Sequence, residues 1–255
     1  MGLNKMQIQE LLDEGRAHAC DGVGPDHVCV KIAAIAELPS RFGQFQIVAF
    51  YNNKDNKEHI AIVRGDITNA EDVPVRVHSE CLTGDVIGSL RCDCRDQLES
   101  ALTMIGKMDK GILLYMRQEG RGIGLTNKIR AYGLQEHGYD TVEANLALGF
   151  RDDERDYSVA AHMLESLKVK SIRLITNNPK KIEDLTKNGV KVTGRIPHIM
   201  QPNQYNRFYL ETKARKSGHL IDFGTVQRLP EQADPPCVEG MDDEQLELIT
   251  KLYLI

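Results

Sequence analysis

The chain alternates between short apolar runs and helical patterns from Val75 to about Ile196, and this alternation limits its possible folds more than any other feature. The runs VRVH, ILLYM and IRLIT have the length and aliphatic content of buried strands. The segments between them carry apolar residues at helical spacing, which predicts one buried face per helix. These positions are Leu98, Leu102 and Ile105, then Ile129 and Tyr132, then Ala160, Met163, Leu164 and Leu167. The pattern predicts a mixed α/β fold in which helices flank a central mixed sheet.

Two further predictions flank this region. FGQFQIVAFYNN and EHIAIVRGDI are strand-like runs joined by a polar turn, which favours a hairpin. TNNPKKIEDLTKNG favours a helix, because Asn178 can cap it, Pro179 suits its first position and Gly189 suits its end.

The two ends carry weaker signals. The first ~25 residues predict an amphipathic helix followed by a glycine-rich break, a pattern too short to assign a role. RLPEQADPPCVEG has the composition of a linker, and MDDEQLELITKLYLI predicts a small terminal helix with acids at its positive end.

Composition narrows the functional classes. No apolar run approaches the ~20 residues of a membrane span, and the N-terminus lacks the order of a signal peptide, so we expect a cytoplasmic protein without a membrane partner. Thiols stay reduced there, so the six cysteines are expected to be metal-binding, catalytic or buried rather than disulfide-bonded. The formal net charge of -5 argues against a general nucleic-acid binder.

Half of the cysteines lie in the stretch CLTGDVIGSLRCDC. Cys81, Cys92 and Cys94 are spaced Cys-x10-Cys-x-Cys, which is not a zinc-finger pattern. Three protein ligands leave a fourth position for water or substrate, the arrangement expected of a metal that does chemistry. Gly84 and Gly88 would let the loop fold back to bring Cys81 beside the other two.

Two alternatives stay open for these thiols. They could be small core residues, although Arg91, Asp93 and Arg95 interleave with them, or His78 could close a structural Cys3His site. Zinc with three thiolates carries a net negative charge, so it would polarise water less than a histidine site and would need a nearby base.

Three other segments could contribute to a site. RQEGRGIGLTNKIRAYGL is a glycine-rich loop entering a helix, and TNNPKK opens another helix beside two lysines; both suit an anion, and both could equally be ordinary turns or caps. The run from Arg151 to Asp156 is consecutive charge within the loop TVEANLALGFRDDERDY. It suits either general-base and phosphate work or a solvated surface turn.

Taken together, these motifs resemble the GTP cyclohydrolase II family, zinc enzymes that open riboflavin biosynthesis. The matching segments are RVHSECLTGD, SLRCDC with Gln97, RQEGRGIGL with NKIRAY, DTVEANLALGFRDDERDY and TNNPKKI. The resemblance implies a single catalytic domain over residues 38–223. It leaves residues 1–37 as an extension of unknown role and residues 224–255 as a linker and terminal helix.

The resemblance also implies roles for individual residues. It assigns Cys81, Cys92 and Cys94 to zinc, Asp153 as proton acceptor, Arg155 as nucleophile toward the α-phosphate, and Tyr132 to hydrolytic ring opening. Because guanidinium stays protonated beyond pH ~12, Arg155 as a charge stabiliser is the alternative. The implied substrate contacts are Arg76, Val77, His78, Ser79, Glu80, Gln97, Glu119, Gly120, Arg121, Thr141, Thr176 and Lys181.

The implied reaction uses one zinc ion per subunit and magnesium bound to GTP. It releases pyrophosphate and formate and yields 2,5-diamino-6-(5-phospho-D-ribosylamino)pyrimidin-4(3H)-one, and the resemblance suggests a homodimer. Two other functions stay open: a nucleotide or RNA binder with a structural zinc, and a relative that stops at the formamide.

Overall fold

A computed structural model describes residues 2–18, 28–206, 210 and 253 of the chain. Its helices and strands, in chain order, are α1 (Lys5–Ala17), β1 (Val30–Ser40), β2 (Gly43–Asn52), β3 (His59–Arg64), β4 (Val73–Ser79), α2 (Cys94–Gly106), β5 (Gly111–Met116), α3 (Gly124–Glu136), α4 (Thr141–Ala147), α5 (Ser158–Ser166), β6 (Ile172–Ile175), α6 (Pro179–Lys187) and β7 (Val192–Ile196). A π-type turn spans Leu82–Val86 and a 3-10 turn spans Glu119–Gly122.

The described residues divide into two compact units. The first contains all seven strands with α1, α2, α5 and α6, and covers residues 2–18, 28–80, 94–117 and 156–200. The second contains α3 and α4, and covers residues 81–93, 118–155, 201–206, 210 and 253.

A seven-stranded sheet in the order β1-β2-β3-β5-β4-β6-β7 forms the first unit. Neighbours from β1 to β5 pair antiparallel, whereas β5-β4, β4-β6 and β6-β7 pair parallel. The predicted mixed α/β fold is therefore confirmed. The predicted hairpin is the β2-β3 pair, in which Phe50 faces His59, and VRVH, ILLYM and IRLIT lie in β4, β5 and β6.

Helices cover both faces of this sheet, as the apolar run in β5 requires. Ile112 and Leu114 point into a large core that includes Leu164 of α5 and Leu185 of α6. Leu113 points the other way, into a smaller core with residues of α2. Both cores bury the strand side chains almost completely, so β5 reads as continuously apolar instead of alternating.

The predicted start of α6 is also confirmed. The side chain of Asn178 accepts a hydrogen bond from the backbone N–H of Lys180 at 3.0 Å, and Pro179 occupies the first helical position. Gly189 follows the helix with φ of +87°, a left-handed conformation that favours glycine.

Two predictions in the second unit were wrong in detail. Ile129 is 50% exposed, and α3 instead buries Lys128, Ala131 and Leu134. Helix α4 occupies part of the segment predicted as a charged loop. Asp140 and Glu143 form a reciprocal capping box at its start, so the local signal was present in the sequence.

The N-terminal residues include the expected helix, α1, whereas β1 begins at Val30, before the predicted division at residue 37. The domain division itself stays a prediction.

Cys29 is in a disulfide, so the expectation that every cysteine stays reduced was wrong there. The predicted linker at 228–240 and all of the predicted terminal helix except Tyr253 lie outside the described residues. Within the described part, no helix has the length and apolar character needed to cross a bilayer.

A small third core holds the second unit together. Ala131 and Leu134 of α3 pack against Ala144 of α4, and Tyr253 packs against this group. A methyl group placed on Gly133 would lie 2.1 Å from the Tyr253 ring, so glycine is required for this close approach. Tyr253 therefore contributes to the packing of α3.

We expect Gly133→Ala to lower the melting temperature, even though alanine in a helix normally gains about 0.5–1 kcal/mol over glycine. The added methyl would displace the Tyr253 ring, so the double variant with Tyr253→Ala should recover the helix-propensity gain. Thermal unfolding of the two single variants and the double variant measures this coupling. Tyr205→Ala, at a ring that is 60% exposed, is the control; additive effects of the two substitutions would contradict the packing.

Candidate active site

The three thiols predicted as metal ligands lie together. The sulfur atoms of Cys81, Cys92 and Cys94 are all within 4.8 Å of one another, and all three cysteines are thiols rather than disulfides. Within the described residues this is the one group of three or more such donors close enough to share a metal, and His78 does not belong to it. The geometry therefore favours a three-thiol group over a Cys3His site.

The donor distances suit zinc. Zinc–sulfur bonds of about 2.3 Å in a tetrahedral site place two sulfur atoms about 3.8 Å apart, and the sulfurs of Cys81 and Cys92 are 3.7 Å apart. The turn after Cys81 fixes this position, because the N–H of Gly84 donates to the Cys81 sulfur at 3.3 Å. Gly88 has φ of +78°, as the prediction for this loop requires, whereas Gly84 is not among the glycines with positive φ. The residues thus fit a bound zinc ion.

Lys128 lies against this group. Its ammonium donates to the Cys81 sulfur at 3.1 Å, to the Thr83 hydroxyl at 2.9 Å and to the Glu119 carboxylate at 2.9 Å. Burial alone would lower the pKa of Lys128. The hydrogen bond to Glu119 and the electrostatic interactions with Tyr132 and Cys81 outweigh burial and raise this pKa above its usual value. The side chain is therefore a fixed cation beside a predicted metal ligand.

Glu119 links two segments of the second unit. One carboxylate oxygen accepts from the N–H of Leu82 at 2.6 Å, and the other accepts from the N–H of Gly120 at 3.0 Å and from Lys128. Its side chain is 9% exposed. The carboxylate therefore fixes the start of the thiol loop to the glycine-rich loop.

Tyr132 lies one helical turn after Lys128 on α3. Its hydroxyl is 3.3 Å from that of Thr83, and the guanidinium of Arg91 lies 5.0 Å from its ring centre. Burial raises the pKa of Tyr132, so the phenol stays protonated at neutral pH.

The glycine-rich loop has a left-handed backbone. Gly120 has φ of +62° and Arg121 has φ of +58°, a conformation that costs a residue other than glycine about 1–2 kcal/mol. Such strain persists where surrounding contacts impose it. Here the Arg121 carbonyl accepts from the N–H of Glu154 at 3.0 Å, and a methyl on Gly122 would lie 2.9 Å from the Glu154 backbone. The left-handed turn at Gly120 and Arg121 therefore lets the glycine-rich loop lie close to the backbone of Glu154.

The charged run contains a buried ion pair. Arg155 donates through Nε and Nη2 to the two oxygens of Asp153, at 2.8 Å and 2.5 Å, and the side chains are only 14% and 11% exposed. Arg121 pairs with Asp152 nearby. Arg151 is 78% exposed and matches the solvated-turn alternative, whereas Asp153 and Arg155 do not.

Arg155 also sets the proton affinity of Asp153. Burial by itself would raise the pKa of Asp153, but the hydrogen bonds and charge of Arg155, with a contribution from Arg121, lower it to about 2. In this arrangement Asp153 is a firmly ionised carboxylate and a weak base.

Within the first unit, most of the predicted substrate-contacting residues lie at the carboxyl ends of β4 and β6, the usual ligand position in open α/β sheets. Arg76 is 5% exposed; it donates to the Ile175 carbonyl at 3.0 Å and to the side-chain oxygen of Gln97. Lys181, at the start of α6, donates to the Val77 carbonyl at 2.9 Å.

The remaining predicted residues of this unit extend the same edge. His78 stacks on Tyr115 with ring centres 5.5 Å apart, and Glu80 lies 3.8 Å from Arg117. Thr176 is buried and accepts a hydrogen bond from the N–H of Asn178 at 3.0 Å. Ser79 ends β4.

The predicted residue Thr141 lies in the second unit, where it opens α4. Its hydroxyl accepts a hydrogen bond from the side-chain amide of Gln135 at 3.4 Å.

Sequence reasoning missed Thr83 as a site residue and counted Lys128 only as a basic residue after the glycine-rich loop. A signal existed for Lys128, since it precedes Tyr132 by four residues and so shares its helix face. No spacing rule indicated that Thr83 would face α3, because that contact depends on the fold of the thiol loop.

The chain is similar to a family of known enzymes over most of its described residues. The family described as GTP cyclohydrolase II matches residues 31–197, from β1 to just past β7. The chain is 58% identical over 192 residues to GTP cyclohydrolase-2 of Picrophilus torridus, covering 75% of this chain and 100% of the relative. It is 51% identical over 210 residues to GTP cyclohydrolase-2 of Histophilus somni, covering 82% and 96%. It is 57% identical over 185 residues to riboflavin biosynthesis protein RibBA of Bacillus mycoides, covering 72% and 47%.

We expect Asp153→Asn to lower the free energy of unfolding by about 2 kcal/mol at pH 7, because it removes a carboxylate whose pKa is lowered to about 2. A lowered folded-state pKa stabilises the protein above the unfolded value near 4, and this contribution is lost as pH falls toward 2. Denaturant unfolding from pH 7 to pH 2 should therefore show the variant and the parent converging.

The control for this pH series is Glu165→Gln, at a carboxylate that is 77% exposed. A pH-independent gap between Asp153→Asn and the parent would show that the ion pair contributes through packing rather than through charge.

Proposed function

The chain belongs to the GTP cyclohydrolase II family of enzymes, and from this premise we propose that it hydrolyses GTP with release of formate and pyrophosphate. The observation that supports the proposal is the three-thiol group, which has the buried Lys128–Glu119 pair against Cys81. The similarity to a riboflavin biosynthesis protein supports a place for the reaction in that pathway.

We propose that Cys81, Cys92 and Cys94 hold one zinc ion. A zinc ion bound there would supply the Lewis acidity that activates water for hydrolysis of the guanine ring. The chain's own contribution includes fixing the Cys81 sulfur, through the Gly84 N–H and the Lys128 ammonium.

The guanidinium groups of Arg121 and Arg155 are suited to the triphosphate with its magnesium ion. Both are rigidly oriented cations in a largely buried setting, where they stabilise developing phosphoryl charge more strongly than in water. The left-handed turn at Gly120 and Arg121 holds the backbone of this loop in place before substrate arrives.

For Arg155 the geometry supports the charge-stabilising role over the nucleophilic one. A guanidinium donating to both oxygens of Asp153 is held in its protonated form, and protonated nitrogen has no electron pair to attack phosphorus. Asp153 becomes an effective proton acceptor only when Arg155 is drawn toward the phosphates, because its pKa then returns toward the ordinary range. Phosphate binding would thereby couple to base strength.

The first unit supplies groups suited to guanine. Gln97 can both donate and accept, and Arg76 fixes its carbonyl oxygen, so its amide has one orientation. A site built on such hydrogen bonds rejects the wrong base because its own polar groups would be left unpaired. Tyr132, as a protonated phenol in the second unit, is suited to donate a hydrogen bond during ring opening.

One incubation separates the candidate functions. The protein is mixed with GTP and magnesium, and formate, pyrophosphate and the ultraviolet spectrum are recorded. We expect formate and pyrophosphate together. Pyrophosphate without formate would indicate a relative with partial chemistry, and neither product would indicate a nucleotide binder with a structural zinc.

We expect Cys92→Ser to lose zinc and formate release while GTP still binds, because the site would keep only two of its three sulfurs. Zinc content by atomic absorption, GTP binding by calorimetry and formate release measure the three properties. Ser89→Ala, in the same loop, is the control and should keep all three. Undiminished formate release by zinc-depleted Cys92→Ser would contradict the proposed role of the metal.

We expect Arg155→Lys to keep part of the pyrophosphate release and Arg155→Ala to lose it, since a lysine preserves the charge but not the two-point contact. Pyrophosphate-release kinetics test this ordering. A covalent nucleotide on the Arg155 peptide of the parent enzyme, detected by mass spectrometry, would contradict the charge-stabilising role.

The homodimer, the magnesium requirement, the cytoplasmic location and the absence of a nucleic-acid partner stay predictions. Sedimentation of the purified chain tests the first. Several exposed aliphatic side chains in the second unit, Val86, Ile87, Leu90, Ile129 and Leu146, are the ones to substitute if a dimer is found.

A further inference from the structure

We propose that Lys128 is a positioning residue of the metal centre, which fixes Cys81 and offsets the negative charge of the three thiolates. This inference rests on the proposed zinc site and goes beyond it, because it assigns a task to a residue outside the sets expected to bind metal or substrate.

The contacts engage all three donors of the ammonium. Its three N–H donors have three acceptors, on Cys81, Thr83 and Glu119, at 3.1, 2.9 and 2.9 Å. The side chain is 11% exposed. A lysine held by three acceptors in a nearly dry setting cannot swing to solvent without leaving buried polar groups unpaired. It is thus part of the site in its resting state.

The net charge of the proposed metal centre explains why a cation at Lys128 would favour zinc binding. Divalent zinc with three thiolates carries one net negative charge, and the buried Glu119 carboxylate adds a second. Lys128 reduces the sum from two negative charges to one. When zinc binds to three thiols it releases their protons and leaves a negative group behind, so a neighbouring cation favours the loaded site.

The contact to sulfur has a second effect. A thiolate that accepts a hydrogen bond from an ammonium donates less electron density to its metal. Zinc held by three thiolates would otherwise be a weak Lewis acid, because the negative charge of the thiolates reduces how strongly the metal polarises water. The hydrogen bond from Lys128 reduces this effect at Cys81, one of the two buried cysteines of the site.

A simpler alternative is that Lys128 only neutralises Glu119 and shapes the loop. The two roles separate in a set of variants: Lys128→Met, Lys128→Arg, Glu119→Gln, and the double variant Lys128→Met with Glu119→Gln. Lys107→Met, at an exposed lysine, is the matched control. Circular dichroism and thermal unfolding establish that each variant is folded.

The first measurement is zinc affinity, by competition with a chromophoric chelator. We expect Lys128→Met to raise the zinc dissociation constant by about ten- to one-hundredfold, the usual effect of losing an outer-sphere partner. Lys128→Arg should stay within about threefold of the parent, because it keeps the charge and donors. The double variant should stay weak if the cation serves the thiolates. Full recovery in the double variant would overturn the proposal in favour of the Glu119 role.

The second measurement uses cobalt(II) in place of zinc. The thiolate-to-cobalt charge-transfer band should move to lower energy in Lys128→Met, because the sulfur regains electron density, and should stay in place in Lys128→Arg and Lys107→Met. An unchanged band together with unchanged zinc affinity in folded Lys128→Met would overturn the proposal.

These readouts do not depend on GTP. If the parent protein fails to release formate, the proposed function fails while the metal measurements still decide the role of Lys128. If the parent releases formate and Lys128→Met binds zinc and cobalt as the parent does, the proposed function stands and this inference alone is wrong.

Discussion

The parallel pairing of β4 with β5 and β6 is the constraint on which the first unit depends. It brings the carboxyl ends of neighbouring strands to one edge of the sheet, where Ser79, Thr176 and Lys181 end or follow those strands. The pairing buries the strands on both faces, so the polar residues at their ends are held by a rigid apolar base. Polar contacts can then be short and specific without stabilising the fold themselves.

The second unit contains a different kind of interaction in addition to its small apolar core. Three ion pairs lie among its largely buried side chains: Lys128 with Glu119, Arg155 with Asp153, and Arg121 with Asp152. Pairing of this kind contributes little net stability once desolvation is counted, although removing one partner is costly. The pairs therefore hold functional groups in defined positions more than they hold the unit together.

The sequence predicted the elements with strong periodicity and clear punctuation. The strands of the sheet core, the hairpin and helix α6 follow from local patterns, and the three thiols follow from their spacing. Contacts between distant segments were not predictable in this way. The hydrogen bond from Lys128 to Cys81 joins residues 47 positions apart, and no local rule places them together.

Local signals were also outweighed by context. Ile129 fits a buried helical position by spacing, yet α3 turns its lysine inward because Glu119 and Cys81 offer acceptors there. The segment of helix α4 was predicted as a loop because a run of charged residues follows it, although the sequence contains the capping box of the helix. The family resemblance supplied residue roles that neither periodicity nor spacing could have given.

The close approach at Gly122 has a consequence for motion. The Glu154 backbone lies close to this glycine, and the Glu154 N–H donates a hydrogen bond to the Arg121 carbonyl, so the two loops are held together at this point. Neither loop can open by itself without breaking that bond and exposing a packed surface. Displacing one of the two loops would thus require either that the other moves with it or that this hydrogen bond breaks.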